Sequence, residues 1–272
     1  MLWRKKRKMN KIVLDGNLIS IDDTDDSIEI ILEDASKLLD VTTLNINVLR
    51  DTDLTIIYNF LDNTKLDINI NILKNVKCNL TEYRQGKKCK LRYKYNLDFH
   101  SFLNVIKIND VHKIKELVVL NLNKKFAKVR CLLKTIAKNE EKYDYMVYHN
   151  EKNTESDIIN NGVAIEEGQI KFDVSGFVPN SKIDCIVNQN NRIINLTNNK
   201  CEIKPNLFID ENDVIANHSA HIGKCREDEM FYLKSRGICE KNAEYLLIRG
   251  FLMQKLENEK ETMEKIISKY WR

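Results

Sequence analysis

The stretch that decides the fold is TTLNINVLRDTDLTIIYNFLDNTKLDININILKN, residues 42–75. It contains three short runs, 44–48, 54–60 and 66–72, in which apolar side chains recur at every second position. This period of two is typical of half-buried β-strands. The runs are separated by segments rich in Asn and Asp, which tolerate turns and left-handed backbone conformations. The stretch therefore predicts three consecutive strands joined by short turns.

The same pattern extends to about residue 211. Further alternating runs lie at 89–98, 102–110, 116–123, 127–137, 142–150, 168–178, 182–190, 191–198 and 206–211. No convincing long helix separates them, which excludes a βαβ architecture, whereas a sandwich, a barrel and a β-solenoid all fit the spacing. The only Asn-Gly hairpin signal, NNG at 160–162, is too little for a sheet built of hairpins and favours a solenoid. For residues 24–41 we favour a strand at 27–32 over a helix.

The composition is that of an ordinary soluble globular protein, with 43% hydrophobic and 31% charged residues. The formal net charge of +4 is small and both signs are mixed along the chain, so the charge does not indicate a nucleic-acid partner. The one concentrated basic run, residues 1–11, is predicted to be a solvated tail. No secretory signal is expected, and no segment reaches the roughly 18 apolar residues of a membrane span. We therefore expect a cytoplasmic protein.

The seven cysteines are odd in number and scattered, with no CxxC pair. This pattern argues against a disulfide framework and against a zinc module of the usual spacing. Most of the cysteines are predicted to be small core side chains.

After Gly223 the sequence pattern changes from that of strands to that of helices. Residues 226–236 have acidic side chains first and basic ones last, and Gly237 follows as a stop signal, which together predict a helix. Residues 240–272 predict one or two further amphipathic helices, with apolar stripes on Ala243, Leu246, Leu247, Phe251 and Leu252, and on Met263, Ile266, Ile267 and Tyr270. The predicted layout is a tail at 1–11, a strand-rich body at 12–224 and a helical segment at 225–272.

One group of residues suggests chemistry. His218 and His221 form an H-x2-H pair, and Cys225 follows four residues later, just before the predicted helix. Imidazole and thiolate are competent ligands for zinc or iron–sulfur species, but a hydrogen-bonded turn at a helix entrance explains the same residues. His100, His112 and His149 are isolated and are predicted to be structural. No nucleophile elbow, phosphate loop or HExxH motif occurs, so the residues indicate a non-enzymatic β protein.

Residues 204–251 resemble the C-terminal signature of the SufB/SufD family of iron–sulfur cluster assembly proteins. The first part of that signature, P-x-L-x-I-x-x-D-D-V-x-x-x-H-G-A-T-x-G, is matched in register by Pro205, Leu207, Ile209, Asp213, Val214, His218, Ala220 and Gly223. The second part, F-Y-L-x-S-R-G-I, is matched throughout residues 231–238, and an Ala/Leu/Phe-patterned helix follows.

The resemblance implies a right-handed parallel β-helix with a C-terminal helical segment, acting as a non-catalytic scaffold in the SUF system. It implies a dimer, with itself or with a SufB-like paralogue, and docking of a SufC-type ABC ATPase by the helices of residues 225–272. The family histidine that helps to hold a transient iron–sulfur cluster at the dimer interface falls on His218, with His221 and Cys225 as helpers. No permanent cofactor and no nucleic acid are implied.

Several positions depart from the family pattern. Ser219 replaces a Gly, His221 replaces a Thr, and Cys239 stands where a Ser or Thr usually caps the next helix. The position of the SufB-type cysteine falls near Asn190 and not on a cysteine, which favours a SufD-like or minimal stand-alone scaffold over SufB itself. The alternative is an adaptor that binds the ATPase and holds no cluster. A polysaccharide-active β-helix is more remote, because acidic residues do not cluster along the strands.

Overall fold

A computed structural model describes residues 10–15, 18–23, 25–33 and 42–271. Most of the predicted basic tail, residues 1–9, lies outside the described residues, as do residues 34–41 of the segment for which we weighed a helix. The strand predicted within that segment is confirmed at Ile28–Glu33. Among the described residues, no helix combines the length and the apolar character that crossing a membrane requires.

The described chain contains fifteen strands followed by three helices. In chain order they are β1 Asn10–Asp15, β2 Leu18–Asp23, β3 Ile28–Glu33, β4 Thr42–Val48, β5 Thr52–Phe60, β6 Thr64–Ile72, β7 Lys77–Leu97, β8 Phe102–Leu122, β9 Lys128–Ala137, β10 Glu140–His149, β11 Glu155–Ala164, β12 Gln169–Val178, β13 Cys185–Asn195, β14 Glu202–Ile209, β15 Val214–Gly223, α1 Glu227–Ser235, α2 Glu240–Met253 and α3 Lys260–Tyr270.

The strands form a β-solenoid of about seven turns, which confirms the predicted fold class. The first sheet stacks β1, β5, β7, β8, β9, β11, β13 and β15 in parallel, and the second stacks β4, β6, β7, β8, β10, β12 and β14. Strands β7 and β8 are long enough to serve both sheets. β7 turns the corner at Gly86, whose φ is +122° and where a Cβ would lie 2.2 Å from the carbonyl oxygen of Phe60. Only glycine fits this corner.

Asn side chains serve the solenoid in two ways. Three corner residues, Asn63, Asn75 and Asn153, have φ near +60°, which confirms that Asn replaces Gly at turns. On the outside of the second sheet, Asn47, Asn71, Asn96 and Asn121 occupy one column on successive strands. The amides of Asn71, Asn96 and Asn121 each donate to the oxygen of the preceding Asn at 2.8–2.9 Å. Such ladders fix the register of stacked strands.

The interior is mostly aliphatic but contains a buried charged cluster. Arg84 contacts Glu82 and Glu116, and the Lys107 Nζ lies 2.6 Å from a Glu116 oxygen; all four side chains are buried. Burial alone would raise the pKa of Glu116, but the charges of Arg84 and Lys107 lower it to about 2. The two acids and two bases therefore compensate one another inside the solenoid.

Helices α2 and α3 pack on the outer face of the first sheet. Ile108, Leu132, Ile136, Ile159 and Val163 of the sheet form one buried cluster with Ile248, Phe251, Leu252, Leu256, Met263, Ile266 and Ile267. The predicted stripes are confirmed at Ala243, Phe251 and Leu252 and at Met263, Ile266 and Ile267, which are buried. Leu246 is exposed instead, and Ile248 takes the buried position. Both helices thus cover their own body.

Candidate functional site

The candidate site lies on β15, the last strand of the first sheet. β15 pairs only with β13, and β14 pairs only with β12, among the strands that the structure describes. The outer edges of both sheets are therefore open at this end of the solenoid. The prediction that the two histidines lie at a helix entrance was wrong, because residues 214–223 form a strand and α1 begins at Glu227. Cys225 alone stands at the entrance.

The two histidines lie on opposite faces of β15, because successive side chains alternate along a strand. Val214 and Ala216 pack against Val178, Cys185 and Val187 of the interior, so the face that carries residues 214, 216 and 218 points inward. His218 shares this face and is paired in register with Gln189, which is buried. His221 is paired with Arg192 and shares the outward face. A spacing of three brings side chains together on a helix but separates them on a strand.

His218 lies at the open end of the solenoid interior. Its column, followed back through the first sheet, contains Gln189, Ile158, Cys131, Val105 and Leu80, all of them buried. His218 is exposed because no described strand covers the last turn. Beneath it the interior becomes polar: the Gln189 amide donates to the Asn206 carbonyl oxygen at 3.2 Å, and the Asn160 amide donates to Asn191 at 2.7 Å.

His221 and Cys225 share a cavity on the other side of β15. The cavity has a volume of about 430 Å³ and lies between the last turns of the first sheet and α2. Its polar lining includes Arg192, Lys224, Arg226 and Glu229, and its apolar lining includes Ile194, Leu246, Leu247 and Phe251. Burial and the charges of Glu244 and Glu229 raise the pKa of the Cys225 thiol to about 11. The structure thus brings His221 and Cys225 together and separates both from His218.

Within the described ranges, no group of three or more His, Cys, Asp and Glu side chains could hold a metal ion. Five of the predicted core cysteines are buried: Cys78, Cys89, Cys131, Cys185 and Cys201. Cys239 is the exposed N-cap residue of α2 and makes no side-chain cap hydrogen bond.

Residues 100–251, more than half of the 272-residue chain, match the sequence model described as SUF system FeS cluster assembly, SufBD core domain. The chain belongs to the SufBD family. The match covers the solenoid from the fourth turn onward, β15, α1 and most of α2.

Three named relatives support this assignment. The chain is 32% identical to the iron–sulfur cluster assembly protein SufD of Bacillus subtilis over 113 residues, which are 41% of this chain and 26% of that protein. It is 41% identical to a SufBD family protein of Mycobacterium leprae over 63 residues, 22% of this chain and 16% of the other. A SufBD family protein of Pyrococcus horikoshii is 37% identical over 59 residues, 22% and 13% of the two chains. The aligned part thus spans about a quarter or less of these relatives.

In this SufBD chain α1 differs from the other two helices, because it buries none of its side chains. Phe231 is 75% exposed and Tyr232 57% exposed, although both are large and apolar. α1 ends as predicted: Gly237 has φ +81°, its amide donates to Lys234, and the Ile238 amide donates to Leu233. A well-terminated helix with a bare aromatic pair is a surface suited to a partner.

The sequence analysis missed Arg192 as a lining residue of the cavity. The signal that could have identified Arg192 is the register of the solenoid. It places Asn161, Arg192 and His221 on successive strands at spacings of 31 and 29 residues. The spacing varies because the corner loops differ in length. A repeat search at one fixed period therefore does not find the column.

His149 is structural, as predicted, and makes the stability of the fold depend on pH. Its ring nitrogens bond the hydroxyls of Thr154 and Ser156 at 2.8 and 2.9 Å, and burial lowers its pKa from 6.5 to about 4. The unfolded chain therefore binds more protons than the folded chain between pH 4 and 6.5. We expect His149 to contribute about 2–3 kcal/mol of stability that is complete above pH 6.5 and lost as the pH falls to 4.

The measurement is the free energy of unfolding in urea at pH 4.5–7.5, for the wild type and for His149→Gln. Glu141, whose pKa burial raises to about 7, gives the opposite slope, so only the difference between the two proteins reports on His149. We expect this difference to be largest at pH 7.5 and to shrink towards pH 4.5. A difference that is constant across this range contradicts the prediction.

Proposed function

We propose that this protein is a cytoplasmic, non-catalytic scaffold for iron–sulfur cluster biogenesis in a SUF-type complex. The match to the SufBD core over residues 100–251 is the observation that carries the proposal. The scaffold pairs with a second copy or with a SufB-like paralogue, docks a SufC-type ABC ATPase, and receives the cluster as cargo at the interface between the two solenoids. ATP hydrolysis belongs to the ATPase.

The open end of the solenoid supports pairing with a second chain. The free edges of β14 and β15 expose backbone donors and acceptors that another strand can satisfy, and uncovered edges of this kind favour association. Phe208, Ile215 and Ile222 lie on these two strands and are exposed. An opposing solenoid of the same family offers edges of matching spacing.

The position of His218 supports a cluster site at that interface. It is the one residue of the predicted ligand set that faces the open end, where the last turns of two solenoids would meet. We therefore propose His218 as a direct ligand, with the remaining ligands supplied by the second chain. His221 and Cys225 lie behind β15, so we assign them a supporting role from the cavity.

The alternative, an adaptor that holds no cluster, is supported by one observation. β15 carries no cysteine, so within its own strand His218 has no thiolate beside it to complete a site. The two proposals share the ATPase contact and differ in the fate of the cluster.

Docking of the ATPase is proposed for α1, because α2 and α3 use their apolar stripes on their own sheet. We expect Phe231→Ala combined with Tyr232→Ala to weaken binding of the host SufC-type ATPase at least tenfold, about 1.4 kcal/mol or more. Co-purification and titration calorimetry with the tagged full-length chain measure the effect. Truncation after Lys224 is a poorer test, since it also uncovers Leu132, Ile159 and the rest of the face beneath α2 and α3.

The matched control replaces another exposed aromatic pair, Phe99→Ala with Phe126→Ala. The two rings pack edge to face at a corner of the second sheet, with 6.0 Å between their centroids. This variant is expected to bind the ATPase as the wild type does. Equal binding by the α1 variant and the control contradicts docking through α1, and failure of the wild type to bind contradicts the ATPase partnership.

A further inference from the structure

A row of polar side chains runs along the outer face of the first sheet. Lys134, Asn161, Arg192 and His221 are paired in register on β9, β11, β13 and β15. The row begins in the buried region next to the helices and ends at the cavity shared by His221 and Cys225. It contains two cations, an amide and an imidazole, and no carboxylate.

Positive charge in this region is poorly compensated. Lys134 is buried and donates to the Asn161 amide oxygen at 2.8 Å. Burial lowers the pKa of Lys134 to about 7, and the charges of Lys255 and Arg192 act in the same direction. The Arg192 guanidinium lies over the Phe251 ring, with 5.3 Å between the guanidinium carbon and the ring centroid. Neither Arg192 nor Lys224 forms an ion pair with any residue that the structure describes.

Arg226, the third base that lines the cavity, is already paired with acidic side chains. Arg226 makes two hydrogen bonds to Asp228, at 3.1 and 2.5 Å, and lies 3.6 Å from Glu229. Glu229, the only carboxylate among the lining residues, is therefore already matched by a base. Arg192 and Lys224 remain as unmatched cations, with His221 between them in the chain. The cavity is thus lined by nitrogen donors from β13, β15 and the segment before α1.

We propose that this cavity binds a phosphate group, with Arg192, Lys224 and His221 as donors. A guanidinium and an ammonium group recognise phosphate oxygens, and an anion here would relieve the repulsion among the cations. At about 430 Å³ the cavity has room for more than the anion, and Leu246, Leu247 and Phe251 offer an apolar wall to an organic group. The ligand is therefore inorganic phosphate or a small phosphate ester, and its binding does not require that the protein hold a cluster.

Titration calorimetry on the full-length protein at constant ionic strength tests the site, with inorganic phosphate and adenosine monophosphate as separate probes. We expect saturable binding with one site per chain, and the tighter probe shows whether the ligand is the free anion or an ester. Arg192→Met retains the packing on Phe251 and is expected to weaken binding at least tenfold. If this variant does not fold, Lys224→Met at an exposed position replaces it with the same expectation.

The matched control is Arg130→Met. Arg130 lies on the same sheet face but pairs with Asp157 at 3.5 Å and does not line the cavity. It is expected to leave phosphate binding unchanged. The proposal is overturned if neither probe binds saturably. It is also overturned if Arg192→Met and Arg130→Met weaken phosphate binding equally.

Cys225 provides a second readout, because its half-buried thiol lines the same cavity. In a Cys239→Ser background, alkylation of Cys225 followed by mass spectrometry is expected to slow at least threefold at saturating phosphate. Arg192→Met is expected to abolish this protection. Protection that persists in Arg192→Met, or that sodium chloride reproduces at equal ionic strength, assigns the effect to salt and overturns the site.

Discussion

Replacing Arg84 with methionine is expected to lower the free energy of unfolding by about 3–5 kcal/mol. The guanidinium contacts Glu82 and lies 2.8 Å from Glu116, and it stacks against the Tyr93 ring at 5.1 Å. Methionine fills most of the space but removes the charge that faces two buried carboxylates. Lys107 can compensate Glu116 only, so Glu82 is left as a buried anion without a cation, held only by the hydroxyls of Tyr93 and Tyr95 at 3.1 and 3.4 Å.

Urea unfolding followed by circular dichroism measures the loss, and Arg92→Met is the matched control. Arg92 lies on the same strand and makes two hydrogen bonds to Asp67, at 2.7 and 2.6 Å, but its side chain is half exposed. Water already solvates that pair, so its loss is expected to cost less than about 1 kcal/mol. Similar losses for the two variants would mean that the buried cluster is no more important for stability than a surface pair.

The solenoid was predictable because most inward positions are aliphatic. In β4, β5 and β6 the outward positions remain partly exposed, so the period of two survives in the sequence. β11 shows the opposite case: α2 and α3 bury its outward Ile159 and Val163, which erases the alternation. NNG at 160–162, the one Asn-Gly signal of the sequence, lies inside β11 and not at a hairpin turn, which agrees with the solenoid that the scarcity of such signals favoured.

Two further features were hidden from local reasoning. The charged residues Glu82, Arg84, Lys107 and Glu116 would be expected on the outward face from their residue type alone. They are buried because their charges compensate one another, and this compensation depends on side chains from other turns. Runs 182–190 and 191–198 were predicted as two strands, but Cys185–Asn195 is one continuous strand. In both cases long-range pairing decides the outcome, and a sequence window does not contain it.

The candidate site, too, was predictable from the sequence only in part. His218 was identified through the family resemblance, and its inward, open-ended position follows from the register with Gln189. The grouping with His221 and Cys225 assumed a turn or a helix, where a spacing of three residues converges. On β15 the alternation of the strand separates them, and the cavity gains Arg192 from the neighbouring turn instead.

Because His218 and His221 lie on opposite faces of β15, we expect their replacement to have different effects on the cluster. In the anaerobically prepared dimer with its ATPase, His218→Ala is expected to remove the visible absorption of the iron–sulfur cluster, whereas His221→Ala is expected to retain it. Both histidines are exposed, lie on the same strand and differ in the face that they occupy. Under the proposed assignment, loss of His218 removes a ligand from the interface, and loss of His221 changes only the cavity behind β15.

Absorption spectra and iron content per dimer measure the outcome, and sedimentation velocity checks that both variants still pair. If His221→Ala also loses the cluster while the dimer persists, the two faces of β15 act together and the assignment of His218 alone is wrong. If the wild-type dimer carries no cluster at all, the adaptor proposal takes its place, because the proposed ATPase contact through α1 does not require the cluster. Because the two histidines lie on opposite faces of β15, His221→Ala is the matched control for the proposed ligand His218.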